Sequence, residues 1–178
     1  MLFLRIKKML LRILALEGRG FFADYNDVGT SSAPVALLAD VWTPVPNDGA
    51  GGFTNTAYLP EDVTALMDVS TGEFDFTELS LGATCFIRND FTVTPTVNDC
   101  ALSLRYSLGG GGNSYTLEGP LARLDEGAGV GYRRALKPDM VYMGDANTRD
   151  NPVTLEIKCS VDATLVNAGS AITVTSNS

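Results

Sequence analysis

The sequence has no histidine. That removes Ser-His-Asp and Cys-His catalysis, together with the commonest metal ligand. Charge is also scarce: Asp, Glu, Lys and Arg make up 19% of the chain, against ~25% in an ordinary globular domain. The three cysteines, Cys85, Cys100 and Cys159, are odd in number and widely spaced, which gives neither a disulfide framework nor a zinc pattern. Each falls in an apolar strand-like run and is expected to be a buried, reduced thiol. No run of 18 apolar residues occurs, so no transmembrane helix and no membrane partner are expected. A net charge of −8 argues against a nucleic-acid partner, because phosphate binding needs a positive face.

The charge is unevenly distributed. Residues 1–20 carry Arg5, Lys7, Lys8, Arg12 and Arg19 against Glu17 alone, a net of +4. Residues 21–178 carry eight basic against twenty acidic side chains, a net of −12. As a helix, residues 2–16 would place Arg5, Lys8 and Arg12 on one stripe, with Leu and Ile over most of the remainder. Such a segment must bury itself against the body, another subunit or a lipid surface. Lys7, Lys8 and Arg12 interrupt the apolar stretch, and Leu-Glu-Gly-Arg-Gly is no small-residue cleavage site, so a secretory signal is disfavoured. Met9 is an alternative start. Residues 18–33 are expected to be an extended linker holding a hydrophobic anchor of Phe21, Phe22 and Tyr25. This divides the chain into an arm and linker, residues 1–33, and a body, residues 34–178.

From residue 34 the apolar period becomes two. Strands are expected at residues 35–42, weakly at 53–58, at 63–69 and 73–76 as a hairpin around Ser70-Thr71-Gly72, and at 83–94, 97–108, 114–118, 140–143, 153–161 and 171–175. In the clearest of these Cys100, Leu102, Leu104, Tyr106 and Leu108 alternate with Ala101, Ser103, Arg105 and Ser107. Residues 119–138 are expected to be turn-rich. Alternation of this kind means antiparallel strands with one wet face. About eight of them, with no βαβ rhythm, define an all-β, antiparallel sandwich.

No residue set names a reaction. Glu73 with Asp75, and Glu61 with Asp62, are carboxylate pairs of the kind glycosidases use, but an acidic chain contains many by chance. The four glycines 109–112 lack the Lys-Ser/Thr of a phosphate loop and are expected to form a hairpin loop. Residues 145–156 fall short of a calcium loop, since Arg149 takes a ligand position and the bend glycine is missing; a turn is expected. Trp42 is expected in the core, with a sugar-stacking platform as the alternative. Catalytic, metal and cofactor sites are therefore all expected to be absent.

Residues 63–88 run VTALMDVSTGEFDFTELSLGATCFIR. The S-T-G turn, the pair Phe74 and Phe76, and the L-x-x-G before a long strand resemble trimeric jelly rolls of the TNF kind. Arg105-Tyr106 within a long strand and the strand end at Tyr142-Met143-Gly144 are similar in style to jelly-roll cement (decoration) proteins of tailed bacteriophages. The resemblance implies an antiparallel jelly roll with an N-terminal arm, and a homotrimer seated on the major capsid protein at three-fold positions. It implies a structural, non-enzymatic virion protein that cements the outside of a capsid after synthesis in the host cytoplasm. The attachment residues would be Leu2, Phe3, Leu4, Arg5, Ile6, Lys8, Leu10, Leu11, Arg12, Phe21, Phe22 and Tyr25. The alternative is a receptor- or glycan-binding domain of a fibre or spike, acting through the loops at residues 47–52 and 109–113.

Overall fold

The period-two segments fold into two four-position antiparallel sheets. The structure, a computed structural model, describes residues 19–135 and 137–176, without the side chain of Arg19. Its strands are β1 (Arg19–Asn26), β2 (Val35–Leu37), β3 (Thr43–Pro44), β4 (Met67–Asp68), β5 (Glu73–Phe74), β6 (Thr84–Pro95), β7 (Cys100–Leu108), β8 (Tyr115–Leu124), β9 (Tyr132–Arg134), β10 (Pro138–Tyr142), β11 (Thr154–Cys159) and β12 (Ala163–Ser176). One sheet has the order β1-β12-β6-β10, with β2 continuing the β1 edge and β9 the β10 edge. The other has the order β3-β11-β7-β8. First strand beside last, with the chain passing back and forth between sheets, is the jelly-roll topology. The expected fold class is therefore the observed one.

Inward-facing side chains of both sheets form the core. Cys85, Ile87, Phe91 and Val93 of β6 meet Leu102, Tyr106 and Leu108 of β7 and Leu155, Ile157 and Cys159 of β11, all buried. The three cysteines are buried and unpaired. Burial pushes the thiols of Cys85 and Cys159 up to about 12, so neither ionises near neutrality.

The first difference from expectation lies at residues 18–33. Residues 19–26 are not a linker but a strand, paired with β12 from Arg19–Ser176 to Asn26–Gly169. Phe21, Ala23 and Tyr25 face the core and Phe22 faces out. Tyr25 is buried, and its hydroxyl accepts a hydrogen bond from the Leu66 N–H at 2.9 Å. Its carbonyl accepts from Asn47 Nδ2 at 2.9 Å. The outer edge of β1 is guarded by Asn55, which exchanges both backbone hydrogen bonds with Asp24.

The second difference is β12, expected at residues 171–175 and observed over fourteen residues. Before Asn167 the odd positions Ala163, Leu165 and Asn167 are buried; after Gly169 the even positions Ile172, Val174 and Ser176 are. A bulge between Asn167 and Gly169 shifts the register against β6 and resets the alternation. There the neighbour also changes from β2 to β1.

Smaller corrections follow the same physics. Residues 53–58 form only the Asn55 bridge, and Phe53 and Tyr58 are 83% and 66% exposed. Only Val35–Leu37 of the first expected strand pairs in a sheet, and the chain turns at Asp40 with a positive φ of 59°. The hairpin at Ser70-Thr71-Gly72 forms, but pairs only Met67–Phe74 and Asp68–Glu73. Strand β8 runs on to Leu124, into the stretch expected to be turns, and carries Pro120 on a sheet edge, where proline is tolerated.

Candidate functional site

Of the twelve proposed attachment residues, Leu2, Phe3, Leu4, Arg5, Ile6, Lys8, Leu10, Leu11 and Arg12 lie outside the described residues. Tyr25 is inside the core, and Phe21 packs half-buried against it. Neither can serve as a free anchor while β1 stays paired. Phe22 alone reaches the outer face.

Register places Phe22 in a row. It stands opposite Thr173, which stands opposite Phe86, which stands opposite Met140. The next row is Gly20, Thr175, Thr84 and Tyr142. Met140 is 59% and Tyr142 55% exposed, and Phe86 is also exposed. The outer face of the β1-β12-β6-β10 sheet thus carries an apolar strip at the end where the chain enters β1. Past it lie Asp24, Arg88 and Asp90, with an Arg88–Asp90 ion pair at 3.0 Å. Burial raises the Asp24 carboxyl pKa, an effect opposed by Arg88 and reinforced by Asp90. Phe86, Met140 and Tyr142 were not among the expected contacts. The signal was present: Phe86 is an aromatic residue at a position of β6 whose neighbours Thr84 and Arg88 mark the wet face.

The outer face of the second sheet is different in character. Arg105 forms a two-point pair with Glu156, Nε to Oε2 at 2.7 Å and Nη2 to Oε1 at 3.0 Å. Hydrogen bonding from Arg105 holds the Glu156 carboxyl below its ordinary pKa, aided by Ser107 and opposed by burial. Trp42 lies here, half-buried, not in the core as expected. The Arg105 guanidinium is 4.4 Å and the Lys158 ammonium 4.6 Å from its ring centroid, a cation–π arrangement that occupies ring surface a sugar would need.

Between the sheets a polar chain crosses the core. Ser170 Oγ donates to Asn89 Oδ1 at 2.7 Å, Asn89 Nδ2 donates to the Tyr106 hydroxyl, and that hydroxyl donates to Asp139 Oδ2 at 2.9 Å. Arg134 Nη2 completes it, donating to the same Asp139 oxygen at 2.7 Å and to the Lys137 carbonyl at 3.0 Å. Burial, and then the charge of Asp139, push the Tyr106 pKa well up, so the phenol stays a donor. Arg134 Nε and Nη1 are buried without an acceptor. A buried unpaired donor costs about 1–3 kcal/mol, more when charged. This end of the chain opens on a cleft of about 600 Å³ between β8 and β10.

The two loops considered for recognition are tied to the body. Asn47 is buried and bonded to β1. The glycine loop joins β7 to β8 as a hairpin, with the Gly110 N–H donating to Asn147 Oδ1 and Asn147 Nδ2 donating to the Asn113 carbonyl. Asp145 accepts from the Thr148 N–H at 2.8 Å and caps the helical turn Ala146–Arg149. Among the described residues no cluster of three or more Cys, Asp or Glu side chains could hold a metal ion, and no helix is long and apolar enough to cross a membrane.

No protein-family model matches the chain, and no curated protein is significantly similar to it. Among solved structures, those of infectious bursal disease virus are similar. The Gx strain structure matches 89% of the chain at 14% identity and a TM-score of 0.40, and the Gt strain structure 90% at 13% and 0.39. The VP2 subviral particle of the same virus matches 92% at 14% identity and a TM-score of 0.32. The chain spans about a third of the length of these proteins.

Proposed function

We propose that the chain is a non-enzymatic structural protein of a virion, a cement protein that binds the outside of a tailed-phage capsid as a homotrimer. The observation that carries this reading is a set of apolar side chains in two neighbouring rows of an outer sheet face. The basic, leucine-rich segment before residue 19 leads directly into β1, beside the strip of Phe22, Phe86, Met140 and Tyr142. Apolar side chains gathered in neighbouring rows of an otherwise wet sheet face mark an interaction site rather than a solvated surface. The body, at a net of −12, stays soluble and faces away from the shell. Attachment then rests on Leu2, Phe3, Leu4, Arg5, Ile6, Lys8, Leu10, Leu11 and Arg12 together with Phe22, while Phe21 and Tyr25 hold β1 in the sheet. Each apolar side chain so buried contributes ~1.5–3 kcal/mol before ordering costs, enough for tight binding by a trimer.

The test is a binding assay on capsids stripped of this protein. Deleting residues 2–16, or combining Phe22→Ser with Phe86→Ser, should abolish sedimentation of the protein with capsids while the sheet stays folded. Full-strength binding by the deletion variant would remove the arm from the account. A monomer at micromolar concentration in analytical ultracentrifugation would remove the trimer.

A further inference from the structure

Two features on opposite edges of the sandwich are left unexplained by the packing of a single copy. Along β1, which ends the β1-β12-β6-β10 sheet, residues 51–55 form a braced turn. Asn55 exchanges both backbone hydrogen bonds with Asp24, the Gly51 N–H donates to the Asn26 carbonyl at 3.1 Å, and the Asn26 N–H donates to Thr54 Oγ1 at 2.9 Å. This turn carries Phe53, the most exposed large apolar side chain among the described residues. A ring held out in water forgoes the stabilisation that burial gives. At the other edge, the cleft between β8 and β10 is a gap in the core. Register puts Leu117 opposite Tyr106 and Gly119 opposite Leu104, all inward positions, yet Leu117 is 42% exposed. A Cβ at Gly119 would meet nothing within 4 Å. The buried guanidinium of Arg134 is already taken by Asp139 and lies over the Phe91 ring. What the gap lacks is an apolar side chain. The charges beside the two features are also opposite. Residues 47–62 carry Asp48, Glu61 and Asp62 and no basic side chain. Residues 133–138 carry Arg133, Arg134 and Lys137 and no acidic one. Arg133 and Lys137 are exposed and form no ion pair among the described residues.

We propose that the cleft between β8 and β10 of one copy receives Phe53 of the next copy of this chain, with Arg133 and Lys137 beside that copy's acidic segment 47–62. A projection that fits a hole elsewhere on the same molecule makes a heterologous contact, which repeats from copy to copy and closes into a ring when the rotation per copy allows. This contact rests on the self-association of the proposed function, and uses neither Phe22 and Phe86 of the apolar strip nor residues 1–18.

Sedimentation velocity of the full-length protein from about 1 to 100 µM, a span that covers contacts of modest affinity, reads the contact. The parent should self-associate. Phe53→Ser, at an exposed position, should raise the dissociation constant by about tenfold to a hundredfold, as loss of one buried aromatic side chain does. Gly119→Leu, which fills the cleft from within, should do the same. Leu117→Ser, which strips the cleft wall, repeats that test should Gly119→Leu fail to fold. An equimolar mixture of Phe53→Ser with a cleft variant should form a one-to-one dimer and nothing larger, because one sound ring then meets one sound cleft. Variants that associate like the parent, or a mixture no heavier than its components at the top of the range, would overturn the proposal. A parent that is monomeric throughout would remove self-association altogether, whereas an associating parent with unchanged variants removes this contact alone.

Discussion

Replacing Gly169 by alanine tests whether residues 19–26 belong to the body. Gly169 has a φ of +129°, a conformation costing an L-residue of order 1–3 kcal/mol. The added Cβ would lie 2.3 Å from the Tyr25 carbonyl oxygen and 2.7 Å from Asn26 Cα. Both neighbours are backbone of β1, so no rotamer change relieves the overlap. Relief requires β1 to part from β12 at this end, which gives up the Asn26–Gly169 pairing and the Asp27 N–H bond to the Ala168 carbonyl. Each backbone bond contributes about 1 kcal/mol net, so the total loss should be about 3–5 kcal/mol, a large part of the 5–15 kcal/mol by which typical domains are stable. Urea unfolding followed by Trp42 fluorescence measures it, and amide exchange in β1 should rise selectively. Gly52→Ala, where a Cβ meets nothing within 4 Å, is the control and should stay within about 0.5 kcal/mol of the parent. A Gly169→Ala variant within about 1 kcal/mol of the parent, with β1 amides still protected, would refute the argument that β1 is a tightly packed strand.

Two further outcomes follow from the polar groups. Tyr106→Phe removes the hydroxyl that joins Asn89 to Asp139 and leaves the fully buried Asn89 Nδ2 without its acceptor. The loss should be about 2–4 kcal/mol in urea unfolding, and a change under about 0.5 kcal/mol would mean that another group accepts from Asn89. The Glu156 carboxyl is held below its ordinary pKa by Arg105. Its stabilisation is therefore fully present above the unfolded value of about 4.5 and disappears as pH falls through the lower folded value. Thermal melts from pH 7 to pH 3 should show Glu156→Gln less stable than the parent at neutrality, with the gap closing in acid. A gap that is constant across this range would show that the pair contributes nothing through ionisation.

The parts of the fold that could be read in the sequence are those whose inner and outer faces differ at every step. Strands β6, β7 and β11 place Cys85, Ile87, Leu102, Leu104, Leu155 and Ile157 inward in strict alternation, and period two has no other stable reading in an antiparallel sandwich. Strand β12 could not be read in full because its bulge at residues 167–169 reverses the face halfway. Without the register against β6, Asn167, Ala168 and Gly169 look like a turn. Strand β1 is hidden in the sequence for a related reason: Gly18, Gly20, Asp24, Asn26 and Asp27 have the composition of a linker. The contacts that order it are long-range, Tyr25 with Leu66 and Asn47 with the Tyr25 carbonyl, and no local window contains them.

The same distinction governs the surface. A buried aromatic and an exposed one look alike in composition, and only the phase of the strand separates them. Tyr25 follows Phe21 and Phe22 closely and so reads as part of one anchor, yet two-residue alternation puts Phe21, Ala23 and Tyr25 inward and leaves Phe22 alone facing out. Phe86 obeys the same rule in the opposite sense: it interrupts a polar face between Thr84 and Arg88, where nothing in the core requires an aromatic ring. Once register aligns Phe22, Thr173, Phe86 and Met140 across four strands, these departures from a wet face fall into one line. A single exposed Phe or Met needs no explanation. A row of Phe22, Phe86 and Met140 on a face otherwise marked by Thr84 and Arg88 does, and it is the feature that the proposed attachment uses.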